Sequence, residues 1–237
     1  VDFEDYKAEH PNAKFSDYYV EKLAEVLRDG EAHGALGKDL YRKGELISFE
    51  EAGQDEFDKY CKWFDLTPDT KVIDLGCGSL RVGLHFIRWL NSGNYFGMDL
   101  TMDFIDMGRP RVNEIIGTEW QAELGTIADK LEQAVDFGAD FVFSSNVAYH
   151  VHPDECATYF DQLDRAASKP GATLCFDTRI AKEQVRFGDR NWAFPFEFQE
   201  EALPNFKLVR TIPAREKMEE LLETNEVVRV IFHFERA

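Results

Sequence analysis

Strand and helix signals alternate along residues 70–178, and this alternation predicts an α/β fold with a parallel sheet and crossover helices. Three observations carry the prediction. Val72-Ile73-Asp74-Leu75 is a short apolar run that opens into a Gly-rich turn, Gly76-Cys77-Gly78. Comparable short runs recur at Tyr95-Phe96-Gly97-Met98-Asp99, Phe141-Val142-Phe143-Ser144 and Thr173 to Asp177. Helix-period stretches lie between these runs, with Pro and Gly as punctuation.

Residues 1–69 read as a helical N-terminal extension, and 70–237 as the main domain. Tyr19, Leu23 and Val26 recur at helical spacing, with Gly30 as a stop. Glycines 30, 34, 37 and 44 mark a loop. A second helix spans about Phe49 to Phe64, with Phe57, Cys61 and Phe64 on one face. After the Gly-rich turn, Leu80, Leu84 and Ile87 define the face of a helix. Thr101 to Gly108 predicts a short helix halted near Pro110. Pro153 opens a helix carrying Cys156, Tyr159, Phe160 and Leu163, which Pro170-Gly171 ends. Beyond residue 179, an aromatic stretch (Trp192, Phe194, Phe196, Phe198) precedes two β-rich runs, Phe206 to Ile212 and Val227 to Phe234. Pro213 to Glu223 between them reads as a helix, and the two runs as the closing edge of the sheet.

Composition narrows the function classes. The 237 residues carry 27 Lys and Arg against 45 Asp and Glu, a formal net charge of −18. Such a field repels polyphosphates and anionic membrane surfaces, which disfavours nucleic acid as a partner. No apolar run reaches the roughly 18–20 residues of a membrane span, and the acidic start lacks a signal pattern. The expectation is a cytoplasmic protein without a membrane contact, a monomer or a homodimer. Cys61, Cys77, Cys156 and Cys175 have neither Cys-x-x-Cys nor zinc spacing, so reduced thiols are expected.

The Gly-rich turn after a buried strand is where an open parallel sheet holds a nucleotide-like ligand. The dinucleotide fingerprint asks for a third glycine at position 81, which is Arg81, and the P-loop lysine is absent. Hydride transfer and nucleotide hydrolysis are both weakened. Asp99 ends the second strand 23 residues after Gly76, where a carboxylate accepts both hydroxyls of a ribose. Its other reading is a cap for the helix that begins at Thr101.

Asp74-Leu75-Gly76-Cys77-Gly78, Asp99, Asp140-Phe141-Val142-Phe143-Ser144-Ser145-Asn146 with a following His, and Pro170-Gly171 together resemble the class I S-adenosylmethionine-dependent methyltransferases. The resemblance implies a Rossmann-like three-layer sandwich: a mostly parallel seven-stranded sheet with an antiparallel last strand. It implies S-adenosyl-L-methionine as cofactor. Asp74, Gly76, Cys77 and Gly78 would lie near its amino-acid end, Asp99 at the ribose, Leu100 against adenine and Asn146 near the methionine moiety. Ala122 to Ile127 is the candidate for the family's third strand, where Thr126 stands in place of an acid that often contacts the adenine amino group.

The expected reaction is methyl transfer to a small-molecule acceptor, foremost at a hydroxyl; the alternatives are N-methylation of a small amine or peptide and a non-catalytic cofactor-binding partner subunit. A hydroxyl or amine acceptor also needs a base. Tyr149-His150-Val151-His152 follows the fourth family strand, so His150 and His152 are the candidate bases and Tyr149 a candidate substrate contact. Asp177 has no acidic partner after Phe143, which argues against a metal. Arg81 reads either as a partner of a cofactor or substrate anion or as half of a local salt bridge. The aromatic stretch near Trp192 is either core or pocket wall.

Overall fold

The computed structural model describes residues 3–28, 40–42 and 45–237. Glycines 30, 34, 37 and 44, and with them the expected stop and loop, lie outside the described residues. In chain order the elements are α1 (Phe3–Glu9), α2 (Phe15–Arg28), β1 (Leu40–Arg42), β2 (Glu45–Ile47), α3 (Phe49–Trp63), β3 (Val72–Leu75), α4 (Gly83–Trp89) and β4 (Tyr95–Asp99). There follow α5 (Met102–Ile116), β5 (Glu123–Thr126), α6 (Ile127–Phe137), β6 (Phe141–Ser144), α7 (Cys156–Ala166) and β7 (Thr173–Ile180). The chain ends with β8 (Val185–Phe187), β9 (Asn191–Ala193), α8 (Phe196–Glu201), β10 (Phe206–Ile212), α9 (Arg215–Leu222) and β11 (Val228–Arg236). Seven strands form one sheet in the order β10-β11-β7-β6-β3-β4-β5. Strands β3 with β4, β4 with β5, and β6 with β7 pair in parallel, while β11 runs antiparallel to both β7 and β10. This is the mostly parallel α/β sheet expected from the sequence. No helix among the described residues is long and apolar enough to cross a membrane.

The described chain divides into two compact units, Val20–Phe137 and Val1–Tyr19 with Gly138–Ala237. In the first, β3 and β4 are buried along their whole length, as strands covered on both faces must be. Helix α3 starts at a capping box: the Ser48 hydroxyl accepts from Glu51 N, and Glu51 reaches back to Ser48 N at 3.0 Å. Its face packs Phe57 against Phe86 of α4, with ring centroids 4.9 Å apart and edge-on.

Two expected boundaries differ from the structure. Leu80 belongs not to α4 but to the turn before it, with φ 63 and a fully buried side chain. The helix begins only at Gly83. Helix α5 does not stop at Pro110 but runs through it to Ile116, ending at Gly117 with φ 80. An internal proline costs roughly 3 kcal/mol. Burial of Phe104, Ile105 and Val112, at about 1.5–3 kcal/mol each, outweighs that cost.

In the second unit, Phe176 of β7 stacks on Phe232 and Phe234 of β11 at 5.5 and 5.9 Å. Alternation along β11 buries Val228, Val230, Phe232 and Phe234 on one face. Pro153 opens a 3-10 turn, Pro153–Glu155, and α7 follows it, closing at Ala166 ahead of Pro170. The aromatic stretch is core: Phe194 and Phe196 are buried, and Phe194 stacks on Phe198 at 4.4 Å.

Two glycines decide how the first unit closes around the turn after β3. A Cβ on Gly53 of α3 would collide with the Arg81 carbonyl, and one on Gly108 of α5 with the Ser79 carbonyl. Both helices therefore lie with backbone against backbone on that turn. Gly108→Ala is expected to destabilise the protein by about 1–3 kcal/mol, read as a lowered thermal midpoint. An unchanged midpoint would refute the clamp.

Candidate functional site

In the first unit the turn Gly76-Cys77-Gly78 links the ends of β3 and β4. Gly76 and Gly78 take φ 87 and 51, values open to glycine without strain. The N–H groups of Gly76 and Cys77 both donate to Met98 O, at 2.7 and 3.0 Å. Gly78 N donates to Asp99 Oδ2 at 2.6 Å, and Leu100 N to Asp99 Oδ1 at 2.7 Å. These N–H groups are thus spent on the turn itself, so the turn offers a close backbone surface rather than an anion cradle. The helix at Thr101 is capped by the Thr101 hydroxyl, which accepts from Asp103 N at 3.2 Å, and not by Asp99.

Asp99 is buried, and burial pushes its carboxyl up to about 6 against the opposing pull of the Gly78 and Leu100 N–H groups. Each oxygen accepts one backbone bond and keeps further acceptor capacity. Beside it Leu100 is 45% exposed, an apolar surface at the strand end. A carboxylate with spare acceptor sites next to an exposed leucine fits the ribose and adenine of S-adenosylmethionine. Asp74 lies deeper. Tyr95 Oη donates to its Oδ2 at 2.8 Å, and burial, reinforced by Asp99, pushes the carboxyl up to about 8. Cys77 is also buried, and burial raises its thiol well above the usual range, so it is no nucleophile at neutral pH. Thr126 stands at the end of β5 and the start of α6. Its hydroxyl donates to Asp129 Oδ2 at 2.6 Å and accepts from Asp129 N at 3.1 Å, which spends its one proton on capping α6. Arg81 lies 5.5 Å from the ring of Phe49.

The second unit holds the acceptor-side candidates around one buried carboxylate. Asp177 on β7 accepts from Asn146 N at 2.6 Å, from Arg229 Nε at 2.9 Å and from Arg179 Nη1 at 3.3 Å. The first of these bonds holds Asn146 at φ 58, with its side chain exposed. Tyr149 lies under the Arg179 guanidinium at 4.4 Å, and burial raises its phenol. The His150 ring sits 4.1 Å from Tyr149, and its Nδ1 is 3.5 Å from Arg190 O. A carbonyl only accepts, so this contact is a hydrogen bond when Nδ1 carries the proton, and in that tautomer Nε2 is the nitrogen with the lone pair. His152 sits differently. It caps the 3-10 turn, its Nδ1 accepting from Asp154 N at 3.2 Å, and its ring packs on Phe3, Phe15 and Trp192 at 5.0–5.5 Å. Among the described residues no His, Cys, Asp or Glu group could hold a metal ion.

Sequence reasoning missed Arg179, Arg229 and Tyr95. Tyr95 and Arg229 meet their carboxylates across 21 and 52 residues, and Arg179, two residues from Asp177, stands out in the sequence only as a strand position.

Two outcomes test these assignments. S-adenosylhomocysteine affinity is expected to rise with pH through about 6 as Asp99 ionises, and Asp99→Asn to lower it about tenfold and flatten the profile. A pH-independent wild-type affinity refutes the role. Asp74 ionises near 3.8 when unfolded but near 8 when folded, so it costs stability increasingly as pH rises across that interval. The thermal midpoint of Asp74→Asn should therefore gain on the wild type from pH 4 to pH 8; a constant difference contradicts the shift.

Comparison with known proteins agrees with this geometry. Residues 72–171 match the family model described as a methyltransferase domain. The chain is similar to the magnesium protoporphyrin IX methyltransferase ChlM from Synechocystis PCC 6803 with bound SAH. Identity is 15% over 94% of this chain and 98% of that one, with a TM-score of 0.61. It is similar to the [4+2]-cyclase SpnF at 12% identity, covering 88% and 89%, with a TM-score of 0.58. A third likeness is to an S-adenosylmethionine-dependent methyltransferase from Mesorhizobium loti, at 17% identity, covering 80% and 100%, with a TM-score of 0.50. At these identities the solved structures speak for the fold. The chain carries a methyltransferase domain over residues 72–171, on the class I fold of the S-adenosylmethionine-dependent methyltransferases.

Proposed function

We propose that this protein transfers a methyl group from S-adenosylmethionine to a hydroxyl oxygen of a small-molecule acceptor, with His150 as the base. The observation that carries the reading is the difference between the two histidines. His152 spends Nδ1 on a backbone N–H within an aromatic cage. His150 stacks beside Tyr149, its Nδ1 facing the Arg190 carbonyl, and in the tautomer that this carbonyl accepts from, Nε2 carries the lone pair. The name of the similar ChlM, a magnesium protoporphyrin IX methyltransferase, supports a small-molecule acceptor. The same fold also hosts a [4+2]-cyclase, so the chemistry has to be argued from residues and not from fold.

The cofactor supplies a sulfonium methyl that is already activated. The chain's own residues then have three tasks. Asp99 and Leu100 hold the nucleoside, the Gly76–Gly78 turn lets backbone approach it, and His150 Nε2 takes the acceptor's proton as the oxygen–carbon bond forms. The electron pair of the broken carbon–sulfur bond stays on sulfur.

His150→Ala is expected to lower methyl uptake by a panel of hydroxylated acceptors about hundredfold, with S-adenosylhomocysteine affinity preserved. His152→Ala should instead lower the thermal midpoint through a lost cap worth about 1 kcal/mol. Full turnover in His150→Ala would sink the base assignment.

A further inference from the structure

The acceptor-side unit holds an arginine whose recognition edge is unspent. Arg179 is only 21% exposed, yet it engages the protein through one nitrogen. Nη1 donates to Asp177 Oδ2 and to Thr178 O, both at 3.3 Å, and the flat face rests 4.4 Å from the Tyr149 ring. Nε and Nη2 take no partner among the described residues. Those two nitrogens form the side edge of the guanidinium, with two parallel N–H bonds spaced to meet the two oxygens of a carboxylate or phosphate. The group is also fixed before any ligand arrives, because an ion pair and a ring hold it on a strand.

Its ion-pair partner is shared. Asp177 shares its single negative charge with Arg229, whose Nε is nearer at 2.9 Å. A purely structural arginine on a protein of net charge −18 has acids in plenty to pair with. A second cation extends the feature. The Arg190 guanidinium lies 5.7 Å from the Tyr19 ring, and Tyr19 lies 5.8 Å from His150. Tyr149, His150 and Tyr19 thus form a continuous aromatic strip with an arginine at each end.

We infer that the acceptor carries an oxyanion, a carboxylate or a phosphate ester, which the Nε/Nη2 edge of Arg179 holds beside an aromatic strip. Arg179 is then a specificity-determining residue for the reaction proposed above, on which this inference rests.

The test is calorimetric titration of the protein saturated with S-adenosylhomocysteine, using benzoate, phenyl phosphate and the uncharged benzamide. One of the two anions is expected to bind at least about tenfold more tightly than benzamide, and which one distinguishes carboxylate from phosphate. Arg179→Gln should remove that preference and leave S-adenosylhomocysteine affinity unchanged. Arg179→Lys keeps the charge without the flat edge and should lose most of the preference; it carries the test if Arg179→Gln does not fold. Equal binding of all three probes overturns the inference, as does an unchanged preference in either variant. Loss of S-adenosylhomocysteine affinity in Arg179→Gln overturns it too, by assigning the arginine to the cofactor. A wild-type protein that binds no S-adenosylhomocysteine defeats the methyltransferase reading instead, and titrating the anions without it still decides the arginine's role.

Discussion

One hydrogen bond, from Gly78 N–H to Asp99 Oδ2 at 2.6 Å, ties the turn after β3 to the end of β4. The rest of this turn depends on it. Burial alone drives the Asp99 carboxyl towards its neutral form, and the two backbone N–H groups are what oppose that drift. The same bond holds Gly78 at positive φ, and the two N–H groups before it converge on Met98 O. The turn is then pressed from both sides by helix backbones that approach at Gly53 and Gly108, where a side chain would collide with the Arg81 and Ser79 carbonyls. Rigidity here is a matter of backbone contact, with no long side chain to give way.

A parallel arrangement governs the other unit. Asp177 is 2% exposed and carries three donors: one backbone N–H and two guanidinium nitrogens. The backbone bond holds the loop after β6 with Asn146 at positive φ. The two arginines lie across from one another where β7 pairs with β11, Arg179 opposite Arg229. Antiparallel insertion of β11 next to β7 is therefore what delivers a second cation to Asp177, a consequence of topology that no local feature around Asp177 announces.

Legibility from sequence followed the range of the interactions involved. Val72–Leu75, Tyr95–Asp99 and Phe141–Ser144 were readable because a strand covered on both faces is a continuous apolar run. The short Glu123–Thr126 strand was hard to find, and only its place in the family pattern made Ala122 to Ile127 the candidate. Two boundaries misled for a physical reason. Pro110 is a breaker by local propensity, yet α5 buries enough apolar surface to carry it. Leu80 sits at helical spacing from Leu84, but its burial is bought by a left-handed turn that periodicity does not encode. The hairpins β1–β2 and β8–β9 are three residues per strand, too short for alternation to show.

The amino-acid sequence by itself determined the α/β class, the Gly-rich turn after Val72–Leu75, and the strands that end at Asp99 and just before Asn146, because apolar periodicity and glycine placement are local properties. Only the tertiary structure decided the state of those groups. It made Asp74 a buried carboxyl bonded to Tyr95, turned Thr126 and His152 into caps, and gathered Arg179 with Tyr149 on one edge. The Tyr95 and Tyr149 contacts join residues tens of positions apart, and burial is set by the whole fold; the two caps use donors two and three residues away, but whether a side chain turns to them is decided by what else surrounds it.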